Sequence, residues 1–116
     1  MSPFSRPPFD VTRIENPGEV RLVLDGEVDI ATAPLLAHAI EQAERQRPAM
    51  LVLDAARLTF IDASGVRVLV RAARHARRAG RGLTLRNPPP PVARMLGIVG
   101  VGDLLDIVVE QAPASG

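Results

Sequence analysis

The run Met50-Leu-Val-Leu53 constrains the fold more than any other feature: four apolar residues in succession, lying between two segments of helical periodicity. A strand that alternates apolar and polar residues keeps one face in water, whereas an unbroken apolar run fits a strand covered on both faces in a parallel sheet. This run should therefore be central. Parallel neighbours need crossover connections, usually helices, and the flanks supply them. Before the run, Leu36, Ala39, Ile40 and Ala43 recur at helical spacing, Thr32 stands where an N-cap would, and Pro48 closes the segment. After it, Val66, Leu69, Val70 and Ala73 repeat the pattern from Gly65, and Ala79-Gly80 offers a left-handed helix end.

The remaining segments extend the same alternation. Phe9 to Ile14 alternates apolar and polar residues, Asn16-Pro-Gly18 supplies a turn, and Val20, Leu22 and Leu24 alternate again, which predicts a β-hairpin. Leu83-Thr-Leu85 is a further strand. The breaker Asn87-Pro-Pro-Pro-Pro91 precedes a third helix with Val92, Met95, Leu96 and Val99, and Asp103 to Ile107 begins a short last segment. Strands alternating with helices predict an α/β sandwich. At 116 residues and 47% hydrophobic composition the chain has apolar surface for one core. The expected organisation is one domain over residues 9–110, between loose tails at residues 1–8, rich in proline, and 111–116.

Composition narrows the function. The absence of cysteine excludes disulfides, thiol nucleophiles and thiolate metal sites, and a reducing cytoplasm is the expected location. Met1 to Pro8 contains no apolar signal segment, and no apolar run approaches the roughly 18 residues of a membrane span, so neither export nor membrane insertion is expected. The net charge is +1, and neither Trp nor Tyr is present, which argues against a nucleic-acid partner. Gly97-Ile-Val-Gly-Val-Gly102 follows a helix and lacks the Gly-Lys-Ser/Thr of a phosphate loop, so it reads as a helix-ending turn. His38 and His75 read as exposed helix residues, with no G-x-S-x-G elbow around Ser64 and no H-E-x-x-H. The carboxylates of Asp25, Glu27 and Asp29 suit a solvated, capping turn better than a metal site. No enzyme activity and no cofactor are expected.

Two features carry functional information. Asp62-Ala63-Ser64-Gly65 stands where the apolar run Leu58 to Ile61 hands over to the second helix; such residues cap a helix, and the same free N–H groups also suit a phosphate. On that helix Arg67, Arg71, Arg74 and Arg78 are spaced by 4, 3 and 4, which places them on one face. That stripe is either a solvated face or a surface that steers an acidic protein partner.

Two motifs resemble the STAS domain family, in particular the anti-sigma factor antagonists of bacterial partner-switching systems. Leu24-Asp-Gly-Glu-Val-Asp-Ile-Ala-Thr-Ala-Pro-Leu-Leu36 is similar to the family's G-E-[IVL]-D followed by small residues, A-P and an apolar helix. Leu58-Thr-Phe-Ile-Asp-Ala-Ser-Gly-Val66 is similar to its [FM]-[IMLV]-D-S-[ST]-G-[LV]. The downstream stretch Met95 to Asp106 matches as well. The resemblance implies a mixed sheet of four or five strands with helices packed mainly on one side. It implies binding to an anti-sigma factor and serine kinase of the kinase-like ATPase fold, which phosphorylation of the serine directly after the motif aspartate abolishes. Carried onto this chain, the contact surface comprises Gly26, Glu27 and Asp29, the turn Asp62, Ala63, Ser64 and Gly65, and Val66, Arg67, Arg71 and Arg74 of the second helix. The sequence departs from the family at Ala63, which occupies the usual phosphoacceptor position and has no hydroxyl. Three readings follow: Ser64 is the acceptor, the antagonist is constitutively active, or the domain has another task. The rival class is a STAS accessory subunit of a membrane transport ATPase, or a small-ligand sensor.

Overall fold

A computed structural model describes residues 9–99 and 106–108. Strand β1 (Phe9–Asn16) and strand β2 (Glu19–Val28) form the expected hairpin, pairing antiparallel from Phe9 opposite Gly26 to Asn16 opposite Glu19. Proline fixes φ at the first loop residue, and Gly18 takes φ +75° at the second, a conformation open to glycine without steric cost. Helix α1 (Ala33–Glu44), strand β3 (Met50–Ile61), helix α2 (Ala63–Arg78), strand β4 (Gly82–Arg86), helix α3 (Pro90–Val99) and strand β5 (Asp106–Val108) follow.

The five strands lie in sequence order, and β2, β3, β4 and β5 are parallel neighbours. Each β-α-β crossover steps to the next strand in the same direction. Right-handed connections therefore deliver all three helices to one face, and α2 packs between α1 and α3. The core fills that layer: Leu22 and Leu24 of β2, Leu51 and Leu53 of β3 and Leu85 of β4 meet Leu36, Leu69 and Leu96 from the helices. Met50 to Leu53 is central, as its unbroken apolar run requires, with Val52 on the face away from the helices yet 1% exposed.

Three local expectations are corrected. The run Leu58 to Ile61 is not separate from Met50 to Leu53; both belong to β3, which spans 12 residues. Two register shifts against β2 give β3 two additional residues, the first beside Asp54, whose Oδ1 accepts the N–H of Ala56 at 3.1 Å. Only Met50 to Asp54 pairs with β4, so the second half of β3 extends with β2 alone. Thr32 occupies the N-cap position of α1, but its hydroxyl does not cap the helix. It donates to the Glu27 carbonyl and accepts the N–H of Asp29, each at 2.9 Å; Pro34 at the second helical position has no N–H to offer a cap. Helix α3 continues through Gly97 to Val99, so the stretch Gly97 to Gly102 begins as helix; its last three residues lie outside the described residues. The same holds for both expected tails and for residues 103–105.

Candidate functional site

The site is built where β2 and β3 end. Asp62 leaves β3 in an extended conformation, and its Oδ1 accepts the N–H groups of Ser64 at 2.8 Å and Gly65 at 3.3 Å. This N-cap starts α2 at Ala63, two residues earlier than its apolar periodicity alone indicates. A second link crosses between the loops: the Asp62 N–H donates to the Val28 carbonyl at 3.0 Å. The β2–α1 loop is self-braced, because Asp29 Oδ1 accepts from the N–H of Ala31 at 2.9 Å and of Thr32 at 3.1 Å. The loops are thus held together by a backbone hydrogen bond at this end of the sheet.

Glu27 and Ala63 are exposed, Gly26, Asp29, Asp62 and Ser64 are half-buried, and Arg67, Arg71 and Arg74 are exposed along α2. Gly26 adopts φ +110° and its carbonyl accepts from the Thr59 hydroxyl at 3.2 Å. Gly65 and Val66, expected on the contact surface, are instead buried. A Cβ at residue 65 would lie 2.6 Å from both Ile61 Cγ1 and Val28 Cγ1, so glycine is there for close packing of α2 on the strand ends. Among the described residues the Ser64 hydroxyl makes no hydrogen bond.

Three contributors were missed by sequence reasoning. Ile30, Leu35 and Phe60 are 79%, 55% and 44% exposed, and all stand at this end: Ile30 in the loop after β2, Leu35 in the first turn of α1, and Phe60 opposite Glu27. The signal was available, since Leu35 lies outside the stripe of Leu36, Ile40 and Ala43, and an isoleucine follows the carboxylates of the β2 end. Large exposed apolar groups gathered beside polar ones mark an interaction surface.

The arginine stripe divides. Arg71 and Arg78 line a groove between α1 and α2, whereas Arg67 and Arg74 do not. His75, read as simply exposed, places Nε2 3.4 Å from Glu44 Oε2 and belongs to a cluster with Glu44 and Arg81, which are themselves hydrogen-bonded. Glu44 and Arg81 side chains are only 11% and 17% exposed, and Glu44 Oε1 accepts no hydrogen bond among the described residues. At the β2 end Asp25 pairs with Arg57 at 3.7 Å while Asp29 serves backbone N–H groups. Among the described residues no three His, Asp or Glu side chains converge as a metal-ligand set, and no helix is long and apolar enough to cross a membrane.

A one-sheet α/β domain, with its helices on one face and two braced loops beside a capped helix N-terminus, defines the class. Its family is STAS: the family described as "Mlab, STAS domain" matches residues 12–109, and the chain belongs to it. The Anti-sigma-B factor antagonist of Bacillus subtilis (strain 168) is 26% identical over 93 residues, covering 80% of this chain and 84% of that protein. Among solved structures, an anti-sigma factor antagonist from Mycobacterium paratuberculosis superposes with a TM-score of 0.80 at 21% identity, over 92% of this chain and 88% of its own. The anti-sigma factor antagonist SpoIIAA in its unphosphorylated form gives 0.72 at 23% identity, over 89% and 88%. Its phosphorylated form, from Bacillus, gives 0.67 at 22% identity, over 89% and 91%.

Proposed function

We propose that this protein is a non-catalytic, cytoplasmic anti-sigma factor antagonist that binds an anti-sigma factor of the kinase-like ATPase fold through the surface where β2 and β3 end. The names of its relatives support the antagonist role. The observation that carries the reading is the braced end of the sheet: Glu27, Ile30, Leu35, Phe60 and Ala63 are all exposed at the end where the Asp62 N–H bonds to the Val28 carbonyl, Glu27 and Phe60 on the helix-free face and Leu35 and Ala63 in the helix layer. Apolar groups supply burial on docking, and Arg67, Arg71 and Arg74 extend the surface along α2 as steering charges.

The geometry favours an antagonist that phosphate does not gate at the usual position. Ala63 is the exposed first residue of α2 and has no hydroxyl; Ser64 is half-buried. The test is capture of candidate anti-sigma factors from the same genome by purified protein, followed by incubation with the bound kinase and ATP. Binding without phosphate incorporation is expected, with Ala63→Ser conferring phosphorylation at residue 63 and loss of binding. A phosphate located on Ser64 by mass spectrometry would refute the ungated reading and make Ser64 the switch. Capture of a transport ATPase with no anti-sigma factor bound would overturn the antagonist reading in favour of an accessory subunit.

A further inference from the structure

The groove between α1 and α2 has a volume of about 530 Å³, within the range that holds small ligands. Its origin is compositional. The parallel order of β2, β3 and β4 makes α1 and α2 run parallel to each other, and small residues occupy the facing positions, Ala37 on α1 and Ala72 on α2. With Ile40 and Val68 they give an apolar floor. Larger residues at these positions would have closed the gap by helix–helix packing.

The rim is cationic. Arg45, Arg71 and Arg78 line the groove, are exposed, and have no ion-pair partner among the described residues. Against them stand Glu41, and Glu44, whose charge Arg81 already compensates. Both helices end here, and their C-terminal dipoles together contribute roughly one negative charge. Three guanidiniums outweigh that and Glu41. His75 is the one aromatic side chain in the lining, and the floor itself is aliphatic. An aliphatic chain fits this floor, and the fork of donors on each guanidinium fits an oxyanion.

We propose that the α1–α2 groove is a binding site for a small amphipathic anion, an aliphatic chain ending in a carboxylate, with the chain over Ala37, Ile40, Val68 and Ala72 and the carboxylate among Arg45, Arg71 and Arg78. His75 lies 12 residues along α2 from Ala63, roughly 18 Å at the helical rise. Of the three groove arginines only Arg71 also belongs to the proposed partner surface; Arg45 and Arg78 do not, so the site stands whether or not an anti-sigma factor is the partner.

The test uses the full chain and monomeric decanoate, followed by two-dimensional NMR, with decanol and decyltrimethylammonium as matched chains of other charge. Decanoate is expected to saturate below about 1 mM, shifting amides around Ala37, Val68, Ala72 and His75 and leaving those around Asp62 and Ser64 unchanged. Binding should weaken about threefold for Arg78→Gln or Arg45→Gln, should fall with added salt, and should be lost in Ala37→Leu, which fills the floor. A thermal melt establishes that each variant is folded; if Ala37→Leu is not, the two arginine variants and the comparison of head groups decide. Equal binding of all three chains, unchanged affinity in both arginine variants, or shifts confined to residues outside the groove would overturn the proposal.

Discussion

Replacing Gly65 by alanine tests the packing that aligns the two loops. A methyl group there would lie 2.6 Å from Ile61 Cγ1 and from Val28 Cγ1, and 3.0 Å from Ile61 Cδ1. Both neighbours are β-branched, buried to within 2% of full occlusion, and anchored at strand ends, so neither can swing aside without disturbing the backbone. Overpacking of this kind costs about 1–3 kcal/mol. The helix gains from exchanging glycine for alanine, but by at most about 1 kcal/mol, so a net loss of about 1–2 kcal/mol is expected. For a domain of this size that lowers Tm by about 4–8 °C, measured by thermal and urea denaturation. Because the Val28 carbonyl accepts the Asp62 N–H, the displacement should also weaken partner binding at temperatures where the variant is folded. Gly97→Ala is the matched control: an added Cβ there meets nothing within 4 Å, and α3 should be stabilised by about 0.5–1 kcal/mol. A Gly65→Ala protein as stable as the parent, with Gly97→Ala behaving the same way, would refute the packing argument.

Asp62→Ala removes the cap of α2 and should cost about 1 kcal/mol, with Asp62→Asn recovering much of it; equal urea midpoints for all three proteins would mean the cap contributes nothing. Arg81→Met leaves the Glu44 carboxylate with only His75 nearby in a largely buried position and should cost about 2 kcal/mol, whereas adding Glu44→Met should restore part of the loss. A double-mutant cycle with no coupling would show the pair to be solvated. Arg67→Glu with Arg74→Glu, both outside the α1–α2 groove, should slow association with the anti-sigma factor and flatten its salt dependence while leaving dissociation nearly unchanged. Identical association rates at low salt would reduce the stripe to a solvated face.

Element type and order were legible in the sequence because they rest on short-range periodicity. The hairpin, three helices, the central apolar strand and the strand at Leu83 to Leu85 all appear where local pattern placed them. The capping character of the Asp62 to Gly65 turn was legible too, but not which residue caps: periodicity begins α2 at Gly65, whereas Asp62 caps it from Ala63. The sequence could not decide that Met50 to Ile61 is one strand, because its Asp54 to Arg57 interior is held by bulged pairing with a strand some thirty residues earlier. Nor could it separate Gly65, turned into the core, from Ala63, turned out of it; that depends on how α2 sits on Val28 and Ile61, while Val66, already in the apolar stripe, is buried as that stripe requires. Local spacing put four arginines on one face, but only the approach of α1 divided them, drawing Arg71 and Arg78 to a shared groove and leaving Arg67 and Arg74 outside it. Periodicity assigns a residue to a face of its own element, whereas what that face meets is set by which other element packs beside it.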